Sequence, residues 1–193
     1  MFIFEGPDNS GKSTLIESVG QRYSLNTLKK SVNSDRSAAT DPGAYLDSVL
    51  SPEVVEEPWL LDRFYLISSM VYGPLLSTNG HMSDPNRPLE DPSWLSMQWR
   101  KFGLAYGSGR VFTIWCLPPF ENVRDAASVD HHMDSILTMN IARIYWLYHV
   151  MAWVNTSSRP DLNYIYDYTV ERPDGLESFY NWFDTTLEAH SYV

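Results

Sequence analysis

Phe2-Ile3-Phe4-Glu5-Gly6-Pro7-Asp8-Asn9-Ser10-Gly11-Lys12-Ser13-Thr14 is the stretch on which the chain is organised. Three apolar residues predict a buried strand. The next residues fit G-x-x-x-x-G-K-S/T, and an amphipathic run follows. Strand, glycine-rich loop and helix in that order are the context in which such a loop binds phosphate. A triphosphate must be held by backbone N–H groups, and the chain curls around it only where side chains do not intrude. Gly6 and Gly11 suit that bend. The N–H groups of residues 9–13, from Asn9 and Ser10 onward, form an anion nest at a helix start. Lys12 supplies charge to the β- and γ-phosphates. The Ser13 hydroxyl is placed for Mg²⁺, with Thr14 beside it. A plain glycine-rich turn would not explain Lys12 and Ser13 arriving together.

The chain has 193 residues, 44% hydrophobic and 20% charged, which suits one globular domain over 1–193. A formal net charge of −10 disfavours a broad basic face for nucleic acid. Cys116 is the one cysteine, so no internal disulfide forms, and a reducing cytosol is expected. No apolar run is long enough to span a bilayer, and the strand at the start leaves no room for a signal peptide.

Helical spacing predicts a first helix from Ser13 to about Arg22 and a weakly supported strand over Asn26–Val32. A short helix over Ala44–Leu50 should stop near Ser51-Pro52. Trp59-Leu60-Leu61 reads as a strand ending at Asp62-Arg63, followed by a helix from about Phe64 to Leu76. Residues 77–92 read as a long loop or insertion containing Arg87. Ser93 would cap a helix through Phe102 or beyond. Val111–Leu117 is a clear strand, stopped by Pro118-Pro119. Helices follow over Glu121–Val129 and Met133–Val154, then a strand over Asn163–Tyr168 and a last helix capped by Asp174. Such alternation predicts a parallel sheet covered on both faces, with ligands beyond the C-terminal strand ends.

Two such strand ends carry reactive groups: the loop and Asp62-Arg63-Phe64. With Ser68-Ser69 and Tyr72-Gly73, the second motif and the loop together resemble thymidylate kinases, especially the bacteriophage forms. The resemblance implies a three-layer P-loop kinase fold with a five-stranded, mostly parallel sheet and a lid near 118–135. It implies that Asp62 holds Mg²⁺ or its water, or orients the acceptor. Arg63 would clamp the acceptor and transferred phosphates, and Asp8 would meet the acceptor sugar. Phosphoryl transfer is mostly positioning and charge neutralisation, and a guanidinium can bridge two phosphates.

On the helix after Asp62, Tyr65, Ser69 and Tyr72 share a face that could line an acceptor pocket, with Tyr72 stacked on a base. Ordinary amphipathic packing is the equal alternative. The family has arginines where this chain has Ser77 and Leu117, and Arg124 is the one arginine between residues 111 and 142. Arg36, Arg87 and Arg100 are the candidates to replace them. Arg172 could stack on adenine or be a loop charge. His131-His132 reads as solvated rather than metal-binding. Trp146, Trp153 and Trp182 read as core.

Three readings follow. The first is a kinase transferring phosphate from ATP, with Mg²⁺, to thymidylate or another deoxynucleoside monophosphate. The second is a phage enzyme phosphorylating 5-hydroxymethyluracil in DNA. The third is a nucleotide-binding module without transfer. The expected partners are ATP and a pyrimidine deoxynucleotide acceptor, free or in DNA. No membrane is expected, a homodimer is open, and the compartment is the cytoplasm, the host's for a viral protein.

Overall fold

The computed structural model describes residues 1–28, 42–77, 92–130, 135–170 and 175–190. The elements run β1 (Phe2–Glu5), α1 (Lys12–Tyr23), β2 (Thr27–Leu28), α2 (Pro42–Val49), α3 (Pro52–Val55), β3 (Leu60–Asp62) and α4 (Tyr65–Ser77). They continue with α5 (Pro92–Gly107), β4 (Phe112–Cys116), α6 (Phe120–Val129), α7 (Ser135–Met139), α8 (Ile141–Ser158), β5 (Asn163–Tyr166) and α9 (Leu176–Ala189). The strands form one parallel sheet in the order β2-β3-β1-β4-β5. The architecture is the expected P-loop kinase-like α/β fold.

Alternation along the strands divides the core into two layers. Phe2, Phe4, Leu60, Phe112 and Ile114 face α1 and α9, where they meet Leu15, Val19, Phe179 and Phe183. Ile3, Leu61 and Trp115 face the other way, toward Leu46 of α2, Val71 of α4, Val123 of α6 and Tyr148 of α8. The central strand β1 is therefore buried on both sides. Its register sets Phe4 beside Asp62 on one neighbour and Ile114 on the other. The loop after Glu5 emerges between the ends of β3 and β4, at the C-terminal edge.

Local chemistry moves several boundaries. Helix α2 ends at Val49, at the expected stop before Ser51-Pro52, and the same pair then starts the additional short helix α3. The Ser51 hydroxyl accepts a 3.4 Å hydrogen bond from the Val54 N–H, and Pro52 opens the helix where no N–H is needed. Helix α5 starts at Pro92, so Ser93 lies inside its first turn rather than capping it. The single helix expected over Met133–Val154 is two. Asn140 leaves helical geometry at φ −107° and ψ 9°, between α7 and α8, as suits a residue that favours caps over helix interiors. Of the strand expected over Asn26–Val32, Thr27–Leu28 is present, and residues 29–32 lie outside the described residues. So do Asp174, most of 77–92, and His131-His132. Among the described residues, no helix is long and apolar enough to cross a membrane.

Candidate active site

The phosphate-type loop is fixed by close approach. Gly6 has φ +149°, and a Cβ there would lie 2.4 Å from the Cys116 carbonyl oxygen at the end of β4. Gly11 has φ +80°, and its Cβ would come within 2.9 Å of the Tyr168 ring, just past β5. A side chain at Gly6 would push the loop off the end of β4, and one at Gly11 would collide with the Tyr168 ring. Asn9, at φ +62°, takes a left-handed conformation that asparagine tolerates, and its amide donates to Asp130 at the end of α6 at 3.3 Å. Ser10 is fully buried. Ser13 and Thr14 are exposed on the first turn of α1.

Lys12 opens α1 and turns back into the loop. Its Nζ donates to the Gly6 carbonyl at 3.0 Å, to the Pro7 carbonyl, and to the Ser10 hydroxyl at 3.3 Å. Burial lowers its ammonium to about 8, and the nearby Arg63 charge acts in the same direction.

Arg63 is the hub of the second cluster. It follows β3 with φ +69°, a strained backbone for a residue with a Cβ, and its N–H donates to the Phe4 carbonyl at 3.0 Å. Nη2 pairs with Asp8 Oδ1 at 2.6 Å. Nη1 donates to the Tyr72 hydroxyl at 2.6 Å and to the Tyr148 hydroxyl at 3.2 Å. The Tyr72 hydroxyl donates in turn to Asp8 Oδ2 at 3.3 Å. Burial alone would lower the guanidinium, but Tyr148, Tyr72, Asp8 and Glu5 outweigh it and hold the group firmly charged.

Glu5 underlies both clusters. It is fully buried, and Oε1 accepts the Phe64 N–H at 2.6 Å, which secures the turn after Arg63. Its other oxygen, Oε2, has no hydrogen-bond partner among the described residues. Burial raises the carboxyl to about 7, against the pull of Arg63 and Lys12. The folded state thus binds a proton that the unfolded chain releases between pH 4.5 and 7, and stability from this group falls as pH rises through that window. Glu5→Gln keeps an oxygen for Phe64 and cannot ionise. Its stability relative to wild type should increase by about 3 kcal/mol between pH 4.5 and 8. Urea unfolding of both proteins at those two pH values reads this directly. A constant difference would mean that burial leaves the Glu5 carboxyl titrating as it does in the unfolded chain.

The remaining expected residues divide. Asp62 is buried at the end of β3, beside Phe4 in register. Phe64 is fully buried and stacked on Phe102 at 4.8 Å, so its ring packs the core and offers no surface to a substrate. Tyr72 is held by hydrogen bonds to Arg63 and Asp8. The Ser69 hydroxyl donates to the Leu66 carbonyl at 2.9 Å. Arg100 is exposed on α5. Arg124 is exposed on α6, with Nε on its neighbour Asp125 at 2.9 Å, rather than gathered into the Lys12 and Arg63 cluster. Leu117 is core. Arg36, Arg87 and Arg172 lie outside the described residues. Tyr148, Tyr168 and Asp130 join the site without having been marked by any sequence motif.

The donors at this edge suit Mg²⁺. Asp62 and Ser13 offer oxygen donors of the kind magnesium takes, and magnesium bound with substrate phosphates needs one or two protein oxygens rather than a full cage. Among the described residues, no group of three or more His, Cys, Asp or Glu could hold a metal by itself.

No protein-family model matches the chain, and no curated protein matches it by sequence. Its structure is similar to that of YorR from Bacillus subtilis, crystallised with phosphorylated GDP. The TM-score is 0.61 at 18% identity, over 98% of this chain and 97% of that one. The likeness is one of fold, and it runs nearly end to end.

Proposed function

We propose that this chain is an ATP-dependent phosphotransferase, with a deoxynucleoside monophosphate as acceptor and thymidylate first among them. The observation that carries the reading is the ion pair between Arg63 and Asp8. It ties a fixed guanidinium to the loop that holds Lys12, so two cations converge on one strand edge. A turn that only bound a nucleotide would not need the strained Arg63.

In the reaction, an acceptor phosphate oxygen attacks the γ-phosphorus in line. The bond from that phosphorus to the β,γ-bridging oxygen breaks, and the nucleoside diphosphates of acceptor and donor leave. Loop N–H groups and Lys12 take the β- and γ-oxygens. Arg63 exchanges part of its hold on Asp8 and Tyr72 for phosphate oxygens, which gain charge in the transition state. Asp8 is then released toward the acceptor sugar. Tyr148 keeps the guanidinium in place. Ser13 and Asp62 would hold Mg²⁺, which when bound neutralises charge on the phosphates. Tyr168 borders the loop at Gly11, Arg172 is the candidate to stack on the base, and Arg36, Arg87 and Arg100 are the remaining candidate cations for the acceptor. The buried, unpaired Cys116 is in keeping with a reducing cytoplasm.

One observation favours a second acceptor. Leu117 is core where an arginine would grip a monophosphate, and Arg124 is held by its own neighbour. A hydroxyl acceptor, such as 5-hydroxymethyluracil in DNA, needs no such grip. The test is phosphoryl transfer from labelled ATP, and from GTP because of the YorR likeness, to a panel of monophosphates and to DNA with and without the modified base. Transfer to thymidylate supports the first reading. Transfer to the modified DNA alone selects the second. No transfer to any acceptor would leave a nucleotide-binding module and sink both.

A further inference from the structure

Glu5 lies beneath the two cations of the site, and the proposed transfer gives it no part. Its side chain is fully buried. Oε1 accepts the Phe64 N–H at 2.6 Å, and Oε2 has no hydrogen-bond partner among the described residues. A buried carboxylate with one oxygen unpaired is costly, and the neutral acid is much less so. What supports the ionised form is charge. Arg63 contributes most, then the Phe64 N–H and Lys12, with the Tyr148 hydroxyl as a smaller aid. Burial outweighs them, and the carboxyl titrates at about 7.

Arg63 and Lys12 are also the groups that meet phosphate. Phosphate oxygens arriving on them cancel the positive field on which the Glu5 carboxylate depends, and add a negative field of their own in a water-poor interior. We propose that phosphate binding at the loop draws a proton from solvent onto Glu5, at Oε2, so that nucleotide and proton bind together. The inference rests on the phosphate-binding reading of the loop given above. The ionised carboxylate steadies Arg63 while the site is empty. The neutral acid releases Arg63 to turn toward phosphate.

The other groups packed around Glu5 do not take its place. Tyr45 of α2, Tyr72 of α4, Tyr148 of α8 and Cys116 of β4 are held neutral, chiefly by burial, which raises each of them. Tyr148 comes from the inner face of α8; the outer face leaves Trp146 55% and Trp153 65% exposed, where core packing was the sequence expectation. Asp8 is paired with Arg63 at 2.6 Å. Asp62 is in register with Phe4, so strand alternation sets its side chain on the α1 face and Glu5 on the opposite one. Lys12, lowered to about 8, gains its own share of a proton when phosphate arrives, and a Glu5 variant retains that share.

Calorimetric titration of the full chain with ATP and Mg²⁺, in buffers of different ionisation enthalpy, counts the protons taken up. At pH 7 the empty site leaves Glu5 about half protonated, so wild type should take up about half a proton more than Glu5→Gln. The difference should vanish at pH 5, where the acid is already formed. By the same linkage, a rise of about one unit in the Glu5 pKa on binding makes wild-type affinity fall about fivefold relative to the variant between pH 6 and pH 8. Infrared difference spectra of wild type at pH 8, with ATP minus without, need no variant. The C=O band of a buried carboxylic acid should appear as carboxylate bands fade. ATP binding with equal proton counts in the two proteins, or without the acid band, overturns the coupling and leaves the reading of the loop in place. No ATP binding by either protein sinks that reading and this inference with it.

Discussion

Lys12→Met should lower kcat/KM for phosphoryl transfer by at least about a thousandfold and, without nucleotide, make the protein more stable at pH 7. The two effects have opposite signs because the same ammonium is expensive to fold and, in the proposed transfer, holds the phosphates. Burial brings its pKa from 10.5 to about 8. Below pH 8 both states carry the proton and the penalty, about 3 kcal/mol, is complete. Between pH 8 and 10.5 the unfolded chain retains a proton that the folded state has released, so wild-type stability rises with pH across that window. Methionine fills the same space without charge. It also leaves the Gly6 and Pro7 carbonyls without their donor, which returns about 2 kcal/mol of the gain. A net advantage of about 1 kcal/mol is a rise of roughly 3 °C for a chain of this size. Thermal melts at pH 7 and pH 10 should show the advantage at the first and its loss at the second. A variant less stable at pH 7, or one that keeps a tenth of the activity, would defeat this account of Lys12.

What could be read from the sequence was what neighbouring residues decide among themselves. Gly6, Gly11 and Lys12 announce the loop because its backbone bend and its charge are set within a few positions. Tyr72 could be placed near Arg63 because both belong to one strand-to-helix segment, and Tyr65, Ser69 and Tyr72 recur at helical spacing. Tyr148 could not. It reaches Arg63 across 85 positions of chain, and within α8 it is one aromatic among several. The misreading of Trp146 and Trp153 has the same origin. A helix apolar on every side carries no periodic signal to say which face is inside. Phe64 erred the other way: its neighbours Asp62 and Arg63 made it look like part of a site, but the sheet turns its ring into the core against Phe102. Asn140 and Ser51 carried usable cap signals, which the longer apolar runs around them obscured.

Arg63→Lys should reduce kcat for transfer about a hundredfold to a thousandfold while changing KM for ATP little, with the fold intact. An ammonium keeps the charge but not the planar fork that reaches Asp8 with one nitrogen and Tyr72 and Tyr148 with the other. The loss should therefore fall on the step where phosphate oxygens gain charge rather than on donor binding, which the proposal assigns to the loop and Lys12. Arg63→Gly separates that role from the backbone. Glycine accepts φ +69° freely, relieving about 1 kcal/mol of strain, yet it removes the cation that most opposes protonation of Glu5. Glu5 should then titrate above 7, extending the window over which stability falls with rising pH. A glycine variant that melts no lower than wild type at pH 5 but transfers no phosphate would assign Arg63 to chemistry. A lysine variant within fivefold of wild-type kcat would show that charge alone suffices, and the fork, with the two tyrosines that aim it, would have to be explained by packing.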